Sequence, residues 1–194
     1  MNSILFIVQF FIRLVSEPRT TWLELAETQD EHYKPDQMMQ RYYYPLLGLM
    51  SLVIFLATAL RSPGSELKFD YQYGMMQMVP ILVAYFVGPY LAILLLKLSL
   101  AHFFALPHPD KGRLSLFVFC STSVLMAVEA AMAMIPTIWF TQFFAVYLFV
   151  ITWKAAPQFI RIDESDCWKF GFLSSVIIYF SPSVIRHLLV VMQG

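Results

Sequence analysis

Apolar residues in this chain gather into long runs, and polar residues gather into short stretches between them. The first strong run spans Tyr43 to Leu60, and the stretch RSPGSELKFD, with its Pro63-Gly64 turn signal, closes it. A longer run from Tyr73 to Phe104 contains Pro80 and the pair Gly88-Pro89. Proline removes a backbone donor and crowds the preceding turn, so a kink near Gly88 is expected. After HPDKGR, a third run spans Leu114 to Ile135. Pro136 separates it from a fourth, Thr137 to Trp153, and so tight a connection predicts an antiparallel hairpin. A polar stretch, Lys154 to Lys169, carries the acidic cluster Asp163, Glu164 and Asp166, and a fifth run covers Phe170 to Met192. Each run approaches or exceeds the roughly 20 residues that cross a hydrocarbon core as a helix.

The beginning of the chain reads differently. Its apolar run, Ile4 to Val15, is broken by Gln9 and Arg13 and is too short to span. No Lys or Arg precedes it and no small-x-small site follows, so it lacks the order of a signal peptide. It is expected to form an amphipathic helix lying in the membrane interface, docked on the rest of the protein, or both, ending before Pro18. Thr21, with Glu24 three residues on, is the expected capping box of a second short helix. EHYKPDQMMQR then reads as a hydrated connector, and Tyr42, Tyr43 and Tyr44 as rings at the headgroup level. The expected fold is all-α: an integral membrane bundle of five transmembrane helices with an N-terminal interfacial amphipathic helix. Residues 1–42 form the cytoplasmic or interfacial segment and residues 43–194 the transmembrane domain.

Composition strengthens the membrane reading. Of 194 residues, 59% are hydrophobic and 13% charged; soluble domains average about 45–50% and about 25%. Net charge is zero, which gives no footprint for nucleic acid. The distribution of positive residues is more telling. Arg13, Arg19, Lys34, Arg41, Lys97, Lys111, Arg113, Lys154, Arg161 and Lys169 fall on one side of the expected topology, and Arg61, Lys68 and Arg186 on the other. That bias places the N-terminus in the cytoplasm and, with five spans, the C-terminus outside.

Few residues suggest chemistry. Glu129 stands in the apolar run MAVEAAMAMIP, where a charge needs a partner, a wet cavity or a proton. At about 1.5 Å per residue, Glu129 lies roughly 22 Å into its span and Arg186 roughly 24 Å into the fifth, so the two can meet. The pairing either locks helices together or lines a path for an ion or substrate. His187 points about 100° away from Arg186 on a helix and is not automatically part of that site. His102, His108 and Asp110 cluster in HFFALPHPD, but their spacing matches no established zinc motif, and His32 is isolated. Cys120 and Cys167 are expected to stay unpaired. Ser121, Thr122, Ser123, Ser174 and Ser175 have no positioned base nearby and should bond to carbonyls or across helices. Ala127, Ala130, Ala131 and Ala133 read as a close-packing face. No metal site, cofactor or enzymatic constellation is expected.

Several segments together resemble the Yip1 family of small membrane proteins, in its bacterial branch. SEPRTTWLELAE is similar to that family's proline, tryptophan and helix opening, and YYYPLLGLMSLVIFLATAL to its first span. VAYFVGPYLAILLL resembles the second span; Ile135-Pro136 between short third and fourth spans, and Ser181-Pro182 in the last, fit as well. The resemblance implies five spans, a cytoplasmic N-terminus and, in a bacterium, the inner membrane. Eukaryotic members are tied to vesicle traffic between the endoplasmic reticulum and Golgi and to Rab GTPase binding, and they carry a long cytoplasmic N-terminal domain that the short segment here does not match. The expected function is therefore non-enzymatic: helix association or membrane shaping, with the lipid bilayer and further copies or other membrane proteins as partners. The alternative is a small transporter or channel subunit in which Glu129 and Arg186 line a polar path.

Overall fold

The computed structural model describes residues 3–27, 34–61, 69–104, 110–135 and 144–193. They are almost wholly helical, with no strand among them. Pro136, His32 and His108 lie outside the described residues, as do the connection between the third and fourth expected spans and the start of the fourth.

Two short helices come first, α1 (Ser3–Ser16) and α2 (Pro18–Glu27). Pro18 opens α2 at a position where its missing N–H is not needed. Thr21 therefore lies inside the helix rather than capping it, and its hydroxyl donates to the Glu17 carbonyl at 2.9 Å. Glu24, the expected capping-box partner, instead pairs with Arg13 of α1. Both helices are docked. Ile7, Phe10 and Leu14 form one stripe of α1 that enters the core, and Trp22 of α2 is fully buried. The Trp22 ring packs on Phe117 and Phe159, and its indole N–H donates to the Ile151 carbonyl at 3.2 Å. Tyr147 ties the same region down by donating to the Val15 carbonyl at 2.7 Å. The opposite sector of α1, Ile4, Leu5, Val8 and Ile12, is exposed, with exposed Gln9, Arg13 and Ser16 beside it.

The next helix, α3 (Pro35–Ala59), starts well before the expected boundary at residue 43. The segment expected to be a hydrated connector is its first turns, with Met38 buried. Between Met39 and Tyr43 the helix widens to a π turn just ahead of Pro45, which has no N–H to give. Then come α4 (Tyr71–Phe103), α5 (Lys111–Met134), α6 (Phe144–Ala155) and α7 (Cys167–Gln193). Asp70 and Asp110 cap α4 and α5 by accepting from the backbone N–H of Tyr73 and Gly112. The expected polar stretch from Lys154 to Lys169 is instead largely helical. A second π turn, Ala156–Ile160, contains Pro157 and buries Phe159, and a 3-10 turn, Glu164–Asp166, leads into α7.

Contacts fix the directions. The start of α5 meets the start of α3 at Gly112 and Pro35, and Arg61 just beyond α3 donates to the Ala133 and Met134 carbonyls at the end of α5. Helices α3, α5 and α7 thus run one way, and α4 runs back between them. The hub is α5: two thirds of its span is buried inside the bundle, against 28% for α7. Outward faces are apolar, with Leu52 and Leu56 on α3, Phe86 and Leu94 on α4, and Phe172 and Phe180 on α7 all exposed. So broad an apolar surface on a monomer suits lipid rather than water. Helices α3, α4, α5 and α7 are long and apolar enough to cross a membrane, as a multi-pass membrane protein requires, while α1 and α6 are shorter apolar helices.

Candidate functional site

Two polar constructions adjoin at Tyr85 in this bundle, and the tyrosines belong to the first. Tyr42 and Tyr43 are not headgroup-level rings; both are fully buried. Inside a helix, the carbonyl of residue i bonds the N–H of i+4. Pro89 cannot serve the Tyr85 carbonyl, which is left without its helical donor. The Tyr43 hydroxyl donates to that carbonyl at 2.6 Å. Tyr42 and Ser123 are joined at 2.8 Å, and since Ser123 gives its proton to the Cys120 carbonyl, Tyr42 is the donor. Tyr44 reaches the Tyr90 hydroxyl at 2.8 Å. The helix α4 continues without interruption through Pro80 and Pro89.

The expected serine and threonine behaviour is present. Thr122 donates to Val118, Ser174 to Gly171 and Ser175 to Phe172 carbonyls, and Thr152 crosses from α6 to the Gly171 carbonyl of α7 at 2.9 Å. Ser121 differs: its buried hydroxyl has no partner among the described residues. Cys120 and Cys167 are free, buried thiols. Of the alanine face, Ala130 is buried but Ala131 is exposed.

The second construction is a cleft between α4, α5 and α7, and its Glu129 lies six residues beyond Ser123 on α5. Helices α4 and α7 approach closely where Gly88 faces Pro182: a Cβ at Gly88 would stand 2.9 Å from the Pro182 Cα. Pro182 also deprives the Ile178 carbonyl of its helical donor. One turn beyond that contact the cleft opens, with a volume of about 320 Å³. Ile81, Ala84 and Tyr85 of α4 supply one wall. Glu129 of α5 and Ser183, Arg186 and His187 of α7 supply the polar side.

The depth argument from sequence brings the right pair together. Arg186 Nη1 stands 3.9 Å from Glu129 Oε1. That is within ion-pair range but beyond a hydrogen bond, which for N–H···O reaches about 3.2 Å. The two side chains keep 45% and 27% of their surface accessible. His187, about 100° from Arg186 around the helix, also lines the cleft, which is wide enough to meet two adjacent positions of α7.

Of the histidine and aspartate cluster, His108 lies outside the described residues. Asp110 is occupied as the α5 cap and lies 3.6 Å from Arg113, while His102 packs against Phe103. No group of three metal-ligating side chains occurs among the described residues. A second cavity of about 400 Å³ lies beside Arg19, Trp153, Lys154 and Glu164, and Lys154 covers the Trp153 ring at 4.6 Å. Comparison with protein-family models, curated proteins and solved structures finds no match to this chain.

Proposed function

We propose that the chain is a non-enzymatic, five-span membrane protein of the Yip1 type that organises or shapes the bilayer. Its N-terminus is cytoplasmic and its C-terminus outside, in the inner membrane if the source is bacterial. The supporting observation is α1. One stripe, Ile7, Phe10 and Leu14, is held in the core, and the exposed sector, Ile4, Leu5, Val8 and Ile12, is left for lipid. A helix free to swivel would follow the bilayer; one fixed to a bundle imposes its depth and tilt on it. The test substitutes Ile4, Val8 and Ile12 together by serine, which leaves the docked stripe intact. Reconstituted into liposomes, the wild type should tubulate or shrink them and the triple variant should not. Equal deformation by both would sink the proposal.

A second reading is supported by the cleft. Glu129 and Arg186 facing a cavity between proline-containing helices suit a small transporter or channel subunit with a polar path. Flux of small ions and metabolites into proteoliposomes is the measurement. Flux carried by the wild type and lost in Glu129→Gln favours this reading, and no flux in either favours the organiser.

A further inference from the structure

We propose that the cleft between α4, α5 and α7 is a binding site for a zwitterionic group, with Arg186 receiving the anionic end and Glu129 the cationic end. The inference deepens the polar-path reading to this extent: it rests on both charges facing the cavity, and it does not require transport.

Three observations carry it. First, the pair is open. A guanidinium and a carboxylate that only lock helices together settle into a bidentate fork at about 2.7–2.9 Å. Here the nearest atoms are 3.9 Å apart, so both groups attract each other yet keep hydrogen-bonding capacity. Second, that capacity faces one shared, half-open cleft. Both side chains line the same cavity of about 320 Å³, at the lower end of the roughly 300–1,000 Å³ of small-molecule sites. Third, the walls match the charges in kind. Ser183 and His187 flank Arg186 on α7, adding polar groups on the anion side, while Ile81 and Ala84 on α4 give an apolar wall.

The charge balance then selects the ligand class. A simple anion would satisfy Arg186 and be repelled by Glu129, and a simple cation would meet the reverse. A ligand with both charges lies antiparallel to the protein's own pair and satisfies each. It also restores the hydrogen bonds that a site within an apolar bundle otherwise lacks. An ammonium separated from a phosphate or carboxylate by a short linker has this chemistry. It occurs in two sources, an aminophospholipid headgroup and a free amphoteric metabolite.

The experiment uses the full chain purified in a non-ionic detergent, with binding read by native mass spectrometry and by the shift in Tm. The probes are glycerophosphoethanolamine, glycerol phosphate and ethanolamine, together with short-chain phosphatidylethanolamine and phosphatidylglycerol. The expected result is preference for a zwitterion over the matching anion and cation by about tenfold or more, on the wild type alone. Glu129→Gln should erase the preference over the anion, and Arg186→Gln the preference over the cation. Binding of the free compound points to a soluble ligand, and binding of the lipid alone points to a headgroup. In the double variant E129R/R186E a free zwitterion can turn round and still bind, whereas a headgroup held by its acyl chains cannot. Anion and zwitterion binding equally would overturn the proposal. So would failure of every probe to bind the wild type, which would leave the pair as a helix lock. The transport reading fails separately: zwitterion binding without flux removes transport and keeps the site, and flux without zwitterion binding does the opposite.

Discussion

Two polar regions of the bundle, which adjoin at Tyr85, handle buried polarity in opposite ways. Around Trp22, Tyr42 and Tyr43, each ring reaches across to a partner and its polar atom is used: an indole on Ile151, a phenol on Tyr85, another on Ser123. In the second region, Glu129 and Arg186 stand apart in a cleft with their bonding capacity unspent. Between helices in lipid there is no hydrophobic drive to associate, so close packing and satisfied polar atoms hold a bundle together. The first region has both. The second gives up closure for an opening, which is the usual division between a scaffold and a site.

The comparison can be broken in its closed region first. Trp22→Ala removes a fully buried ring and its hydrogen bond and should cost about 3–5 kcal/mol, read by denaturant unfolding in detergent. A loss under 1 kcal/mol would mean that α2 is merely resting on the bundle. Tyr43→Phe keeps the ring but strands the Tyr85 carbonyl, with an expected loss of about 1–3 kcal/mol in the same assay. In the open region the effects should be smaller and unequal. Glu129→Gln should change stability by about 1 kcal/mol or less, because the pair is loose and Arg186 can extend outward. Arg186→Gln should cost more, since Glu129 is the less accessible partner and has a shorter reach. Equal losses would show that the pair is a closed lock. Smallest of all, Ser121→Ala removes a hydroxyl without a partner and should be neutral or stabilising by up to about 1 kcal/mol. A clear loss would point to a partner beyond the described residues.

How much of this was legible in sequence follows from what each feature depends on. Apolar runs depend on the solvent, and they located α4, α5 and α7 to within a few residues. The meeting of Glu129 and Arg186 depends on helix rise and shared direction, both readable from a one-dimensional string. The tyrosines were misread because three rings at a polar-to-apolar boundary look like an interfacial belt. Their true reason is a proline 46 residues after Tyr43, visible only once α3 and α4 are side by side. The Thr21 cap failed for a local reason: Pro18, acceptable in a first turn, had already started the helix. Helical angle alone leaves the place of His187 open, because the width of the cleft is not written in the sequence. The start of α3 was placed late because Met38 and Met39 sit among polar residues, and only docking against α5 makes their burial worthwhile.

The Tyr43 bond also has a direction in time. The carbonyl it serves belongs to Tyr85, in a helix synthesised later, and an unsatisfied carbonyl in hydrocarbon costs several kcal/mol. Because α3 precedes α4 in the chain, the donor is in place before the acceptor arrives. Pro89 therefore makes α4 dependent on α3 during insertion. A chain with these two segments in reverse order would have to bring Pro89 into the membrane before anything could complete it.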